Sequence, residues 1–446
     1  MKSADELRSQ RIVIVGGGAA GALLALHVLR TASRTPRRPV ALSIVEPRVN
    51  LAEGVAYSTT DPQHMLNVPA AGMSAFSADA EDFVRWANAQ PGDFVVRHRF
   101  GSYLRERLAA QTNDISQFTH VRATVQHIAV TAGQAATSAT FIVTLDTGGV
   151  LQADAVVLAL GNAPPVQPSW LNTIDPTRVI VDPWAPGALQ VIPDGSHALL
   201  IGTGLTFVDV ALSLTQRNIR VTATSRSGML PKSHVTIAES PTPPNHFASP
   251  SQVSRWIRSQ TDWRAAIAAL RPHTQHIWQS FSSGQQASFL RHAQRHWDVH
   301  RHRMAPQVAT RLNSLLESGQ ITLAVDSPED VARLTDADFV VLCTGPDDTA
   351  YARSPLLASL IAQKFTAVGP HAMGIATDRT TGAVLNKDSR ITPGLFAIGT
   401  LRRGTLWEST AIPELRTQAE QLAQVLLTQD FTNASTSSHE QQSLAT

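Results

Sequence analysis

A single cysteine, Cys343, stands in 446 residues. One thiol forms no intramolecular disulfide and no Cys-x-x-Cys pair, so dithiol redox chemistry is excluded. Charge of one sign is lacking as well. The 37 Lys and Arg face 35 Asp and Glu, interleaved along the chain, which does not describe a nucleic-acid binder. No apolar run approaches the roughly 20 residues that a membrane-spanning helix needs. The opening MKSADELRSQ is polar and lacks the apolar centre of a signal peptide. These absences lead us to expect a cytoplasmic protein with neither nucleic acid nor membrane as partner, and they leave its oligomeric state open. A single core is excluded by length, so two or three domains are expected.

What is present begins with RIVIVGGGAAGALLALHVLR, Arg11 to Arg30. Ile12 to Val15 is an apolar β-branched run of the kind buried in parallel sheets. It meets G-x-G-x-x-G (Gly16, Gly18, Gly21) and then a helix former from Ala22 to Leu29. Gly16 permits the tight turn, Gly18 lets backbone approach a pyrophosphate, and Gly21 lets helix pack on strand. The helix N-terminus, with Ala19 and Ala20, offers free N–H groups and a positive dipole end to that anion. A second apolar strand, Val40 to Val45, ends in Glu46, whose carboxylate suits a ribose hydroxyl. The stretch from Leu51 to Phe76 has no clear period, and long connections of this kind tend to be functional. Tyr57, His64 and Asn67 are its polar candidates for contact with a cofactor's reactive ring. Another apolar strand, Ala153 to Leu160, closes on Gly161, where backbone can approach a ligand.

A second strand–glycine–helix unit, ALLIGTGLTFVDVALSL, spans Ala198 to Leu214. Gly202 and Gly204 keep the turn, Phe207 replaces its third glycine, and Asp209 sits mid-helix facing either the turn or a partner domain. The next strand ends in Ser225–Arg226–Ser227, and Arg226 suits an adenosine ribose or its phosphate. Ser249 to Gly319 is rich in Gln, Arg, His and Trp at helical spacing and reads as a helical insertion. Within it His292, His296 and His300 are four apart. Arg291, Arg295, Arg301 and Arg303 crowd them with positive charge, so a divalent metal is not expected. Strand-then-glycine recurs at Phe339 to Gly345 and at Leu395 to Gly399, the latter ahead of a helix from about Ile412 to Leu427.

Two G-x-G units with a closing LFAIG resemble the two-dinucleotide-binding flavoproteins. GVAYS, HMLNVPAAGMSAF, SRSGMLP and GTLWESTAIPELR resemble one branch of them, the bacterial FAD–NAD(P)-binding proteins. The resemblance covers about Arg11 to Leu427. It implies an α/β fold of two Rossmann-like dinucleotide-binding domains, of the three-layer ββα type, with a helical insertion. Residues 1–165 and 336–430 would form the FAD-binding domain. Residues 166–335 would form the NAD(P)-binding domain with its insertion at 249–319, and 431–446 a disordered tail. By the same resemblance Gly16, Gly18, Gly21 and Glu46 hold FAD, Val125 touches the adenine through its backbone, and Gly399 lies near the flavin. Gly202 and Gly204 hold NADH or NADPH. The stretch RVIVDPW, ahead of the second motif, keeps only the outline of the class B flavin monooxygenase fingerprint, which argues against Baeyer–Villiger chemistry.

The expected activity is an FAD-dependent, NAD(P)H-driven monooxygenase acting through a flavin hydroperoxide. Within the branch the chain resembles the bacterial FAD-dependent urate hydroxylases, which implies urate and O2 as substrates and hydroxyisourate as product. Urate is a planar monoanion, which suits arginine and aromatic neighbours. Arg301, His302, Arg303 and Trp407 are its candidate pocket. The alternative is amine or amino-acid N-hydroxylation, with Glu53 and Asp61 available to an amine. A second alternative is a non-catalytic flavin-bound redox sensor.

Overall fold

The computed structural model describes residues 9–34, 39–112, 117–130 and 141–429, save 238, 326, 335 and 348; the tail expected at 431–446 lies outside the described residues. The strands of its three sheets are, in chain order, β1 Gln10–Val15, β2 Val40–Val45, β3 Gln117–Val121, β4 Val125–Val130, β5 Phe141–Leu145, β6 Val150–Ala153 and β7 Ala155–Leu158. They continue as β8 Val179–Ile180, β9 His197–Ile201, β10 Arg220–Thr224, β11 Ile321–Ala324, β12 Phe339–Leu342, β13 Ala383–Leu385 and β14 Ile391–Ala397.

The first sheet has the order β13-β14-β7-β1-β2-β3, parallel except for β13. Ile12, Val13, Ile14 and Val15 are all buried, as an uninterrupted β-branched run must be when both faces of its sheet are covered. One face carries the helices Ala19–Arg34 and Ile412–Thr428, whose Leu23, Leu26, Leu415 and Leu422 share a core with Ile12 and Ile14. The other face packs on the antiparallel sheet β4-β5-β6 through Val13, Val15, Phe141 and Val143. Sheet, helices and small antiparallel sheet make the three layers of the first unit.

The second sheet is all parallel, with the order β11-β10-β9-β12-β8. β12 lies beyond the division at 336 but pairs with β8 and β9, so the second unit runs through at least Leu342. The continuous apolar run of β12 does not say which of two parallel sheets will take it; pairing does. The stretch 249–319 contains the helices Pro250–Ser259, Trp263–Leu270, Thr274–Ser280, Ser283–His292, Gln294–Arg301 and Pro306–Glu317. Leu312 and Leu315 of the last one pack with Leu200 and Val221 of the second sheet. The insertion proper therefore ends near Arg301, earlier than expected.

Candidate active site

At the C-terminal edge of β1, Gly16 has φ of +103°, and a Cβ there would lie 2.4 Å from the Ala159 carbonyl oxygen. A Cβ on Gly21 would lie 2.0 Å from the Gly16 oxygen, so only glycine lets the helix start this close to its strand. Gly18 is different: only Gly54 Cα, at 3.5 Å, comes near where its Cβ would stand. The helix Ala19–Arg34 has no acidic residue in its first turn, leaving its N–H groups and positive end for an anion. Glu46 is buried at the end of β2. Its Oε2 accepts from the Gly17 N–H at 2.9 Å, and its Oε1 from Arg48 Nε at 2.9 Å and the Arg48 N–H at 3.1 Å, so Oε2 retains acceptor capacity. Gly399 sits against Ala20, and Thr400 donates to the Gly161 carbonyl at 2.5 Å. Gly16, Gly18, Ala19, Ala20, Gly21, Glu46, Gly161 and Gly399 thus meet on one sheet edge. Val125 begins β4, buried beside Val45. An open glycine, a bare helix end and a carboxylate beyond them fit the adenosine and pyrophosphate of FAD.

The second turn repeats this geometry with a different surround. Gly202 has φ of +108°, and a Cβ would lie 2.5 Å from the Cys343 oxygen; nothing lies within 4 Å of one on Gly204. The Cys343 thiol is buried, which raises its pKa and makes it inert. Helix Leu205–Thr215 again lacks an acid in its first turn. A cleft of about 870 Å³ opens over Gly202 and Gly204, lined by Arg226, Arg291, Arg295 and His302. Arg295 donates to Thr203 Oγ1 at 3.0 Å and to the Met229 carbonyl at 2.5 Å. Arg226 is exposed on the cleft wall.

The two units are pinned together by groups from the long Leu51–Phe76 connection and its neighbours. Asp209 faces the first domain, where Arg97 Nη1 meets its carboxylate at 2.8 Å. His64 packs on the same helix, 2.9 Å from Ser213 Oγ, and Ser213 donates to Asp61. The backbone oxygen of Asn67 pairs with His234 Nε2 at 3.0 Å. His234 is pulled down to about 4 by burial, by Arg303 and by Arg301. Glu53, the other acid considered for an amine, is held by Arg105 at 2.5 Å.

The sequence neighbours Arg301, His302 and Arg303 do not converge. Arg301 is buried in ion pairs with Glu408 at 3.4 Å and Glu414 at 3.5 Å. His302 faces the nucleotide cleft. Arg303 is 7% exposed, with its Nε and Nη1 unfilled. Burial, with Arg301 and Arg264 alongside, draws it down to about 10. A buried, unfilled guanidinium between the units fits a polar or anionic edge, such as the flavin carbonyls.

Trp407 lies elsewhere again, in the wall of a cavity of about 630 Å³ inside the helical insertion. Its ring packs 5.0 Å from those of Trp278 and Phe289. His292 ends one helix, while His296 and His300 belong to the next, so the four-residue spacing crosses a break at Ala293 rather than following one helix face. All three line the cavity, and His292 and His296 also line the cleft. Among the described residues no cluster of His, Cys, Asp or Glu is placed to hold a metal. Sequence reasoning missed Glu408 as a buried anchor, although GTLWEST contains it; its pairing with Trp297 and Arg301, more than 100 residues away, leaves no local signal.

Two glycine turns on the C-terminal edges of two parallel sheets give a mixed α/β fold of two dinucleotide-binding type units. Residues 13–163 match the FAD-NAD(P)-binding family model, and the first unit is such a domain. FAD and NAD(P)H are the protein's cofactors, and the matched residues contain the first turn. No curated protein matches the chain. Among the solved structures similar over nearly all of it are the following three. The ornithine hydroxylase of Pseudomonas aeruginosa is 13% identical, with 94% of this chain and 98% of that one covered at a TM-score of 0.62. The cadaverine monooxygenase of Erwinia amylovora, solved with FAD bound, is 9% identical, covering 94% and 95% at 0.60. The L-lysine 6-monooxygenase of Pseudomonas syringae is 16% identical, covering 93% and 98% at 0.57. At these identities the likeness is one of fold. Among the described residues no helix is long and apolar enough to cross a membrane.

Proposed function

We propose that the protein is an FAD-dependent, NAD(P)H-driven monooxygenase that hydroxylates the nitrogen of a small amine. The observation that carries this is a second glycine turn under an open cleft that shares His292 and His296 with an aromatic cavity, in a chain whose first turn has the same backbone. The fold relatives that share the architecture act on ornithine, lysine and cadaverine, all of them amines. Bound FAD supplies hydride acceptance and dioxygen activation. The chain supplies the rest. Gly18 and the Ala19 helix end hold the pyrophosphate, and Glu46 the ribose. Gly204 and the Leu205 helix end hold the second nucleotide, with Arg226 and Arg295 on its phosphates, a cationic rim that favours NADPH. His292 and His296 stand where cleft and cavity meet and move the amine proton. Trp407 and its neighbours exclude water. Arg303 holds the polar edge of the flavin, while Arg301 positions Glu408.

The test is NADH and NADPH consumption by the FAD-loaded protein with a panel of amines, alongside hydrogen peroxide and product mass. Amine-stimulated consumption, little peroxide and a product heavier by one oxygen are expected. Oxidation unchanged by every amine would overturn the reading. Urate is the second reading, favoured by the unfilled Arg303 guanidinium, and urate-stimulated consumption without an amine response would replace the first. Bound FAD with no nucleotide oxidation would point to a redox sensor instead.

A further inference from the structure

We infer that the tryptophan-walled cavity of the helical insertion is the substrate compartment and takes an uncharged, planar aromatic amine; the inference rests on the N-hydroxylation reading above. The cavity, about 630 Å³, is of the size that small-molecule sites occupy. Trp263, Trp278, Trp297 and Trp407 wall it, with Ile267 and Leu270 between them. Two of the indole N–H groups are already committed. Trp278 Nε1 donates to the Gly404 carbonyl at 2.9 Å and Trp297 Nε1 to Glu408 at 3.1 Å. What these rings offer a ligand is carbon surface and π face, which favours another flat ring.

Charge decides the form of the amine. Among the described residues no Asp or Glu lines the cavity, and the one permanently charged liner is a cation, Arg258, exposed to solvent. The nearby Glu408 carboxylate is buried and turned to Arg301 and Trp297; burial raises its pKa, but Arg301 and His302 outweigh that and hold it low. An aliphatic ammonium or a zwitterionic amino acid would enter without a counter-charge, at the cost of an unpaired buried ion. An arylamine is neutral at pH 7 because its lone pair is delocalised into the ring, and it needs no such partner.

Position favours substrate over structural void. Trp407 comes from the segment that follows Gly399 of the FAD domain, and His292 and His296 are shared with the nucleotide cleft. The compartment thus adjoins the nucleotide cleft and takes one wall residue, Trp407, from the first unit. The balanced reaction is Ar–NH2 + O2 + NAD(P)H + H⁺ giving Ar–NHOH + H2O + NAD(P)⁺. An N–O bond forms and the O–O bond breaks; the nicotinamide provides the hydride, and the second oxygen leaves as water.

Isothermal titration of the FAD-loaded protein with aminoindole, naphthylamine, cadaverine and ornithine tests this. The aromatic amines are expected to bind one per chain, and the two aliphatic ones at least tenfold more weakly. Ile267→Trp, which fills the cavity, should weaken aromatic binding at least tenfold while FAD content is kept. If that variant loses FAD, Val253→Phe at the half-buried mouth repeats the test. Tighter binding of cadaverine or ornithine, or aromatic binding indifferent to both variants, overturns the inference. Aromatic binding at this site without any oxygenated product overturns the N-hydroxylation reading and leaves the compartment standing.

Discussion

The two glycine turns share a backbone and differ in what surrounds them. At Gly16 and Gly202 the strain is nearly equal, with φ of +103° and +108° and a carbonyl waiting 2.4 or 2.5 Å from any Cβ. Around the first, the protein closes in: Glu46 braces the Gly17 N–H, Gly54 faces Gly18, and the Ala52 N–H donates to the Gly17 carbonyl at 2.8 Å. Around the second, nothing approaches Gly204, and arginines line a wide cleft. A turn wrapped by its own chain suits a group held through many turnovers. A turn left open, with exposed cations to steer an anion, suits one that binds and leaves each cycle.

The sharpest way to break that contrast is to place the same substitution at both turns. Gly16→Ala is expected to cost about 3 kcal/mol and to yield protein that loses FAD on gel filtration, read by absorbance. Gly202→Ala should retain FAD and lose NAD(P)H-dependent flavin reduction in stopped flow. If both lose FAD equally, the division of labour between the turns is wrong.

Cleft arginines come next. Arg295→Ala removes the clamp on Thr203 and the Met229 carbonyl and should raise KM for the nucleotide about tenfold, near 1.4 kcal/mol. Arg226→Ala should raise KM for NADPH more than for NADH. FAD content should not change in either variant, and steady-state kinetics with both nucleotides checks this.

A smaller effect is expected at Arg303. Replacing an unfilled buried cation with Met should stabilise the FAD-free protein by about 1 kcal/mol. The same variant should narrow the gap in melting temperature between FAD-free and FAD-loaded protein. A widened gap would mean that Arg303 does not face the cofactor.

The smallest effect concerns pH. His234 takes up a proton near 6.5 when unfolded and near 4 when folded. Below pH 6.5 the unfolded chain therefore binds more protons, and the stability present above that pH falls as pH drops toward 4. Melting curves of wild type and His234→Gln should converge across that window. Parallel curves would remove His234 from the junction's acid sensitivity.

Much of the fold was legible in the amino-acid sequence. Ile12 to Val15 and Leu199 to Ile201 are short apolar runs ending in glycines that must take positive φ, and such patterns carry their geometry within six or seven residues. The place of Glu46 at the end of β2 was legible because strand length sets where a side chain emerges. The candidate pocket was not. Arg301, His302 and Arg303 read as one cluster, yet the last residues of a helix and its exit point to different sides, and they face three separate surroundings.

The amino-acid sequence by itself determined the strand–glycine–helix units, the two tight glycine turns and the exclusion of dithiol chemistry, because each depends on neighbours in the chain. Only the tertiary structure decided that β12 joins the second sheet, that Arg97 meets Asp209 across 112 positions, and that four tryptophans from separate helices and a loop enclose one cavity. Those outcomes rest on packing and charge pairing between segments far apart in sequence. Their free energy depends on which surfaces meet, and no local period encodes that.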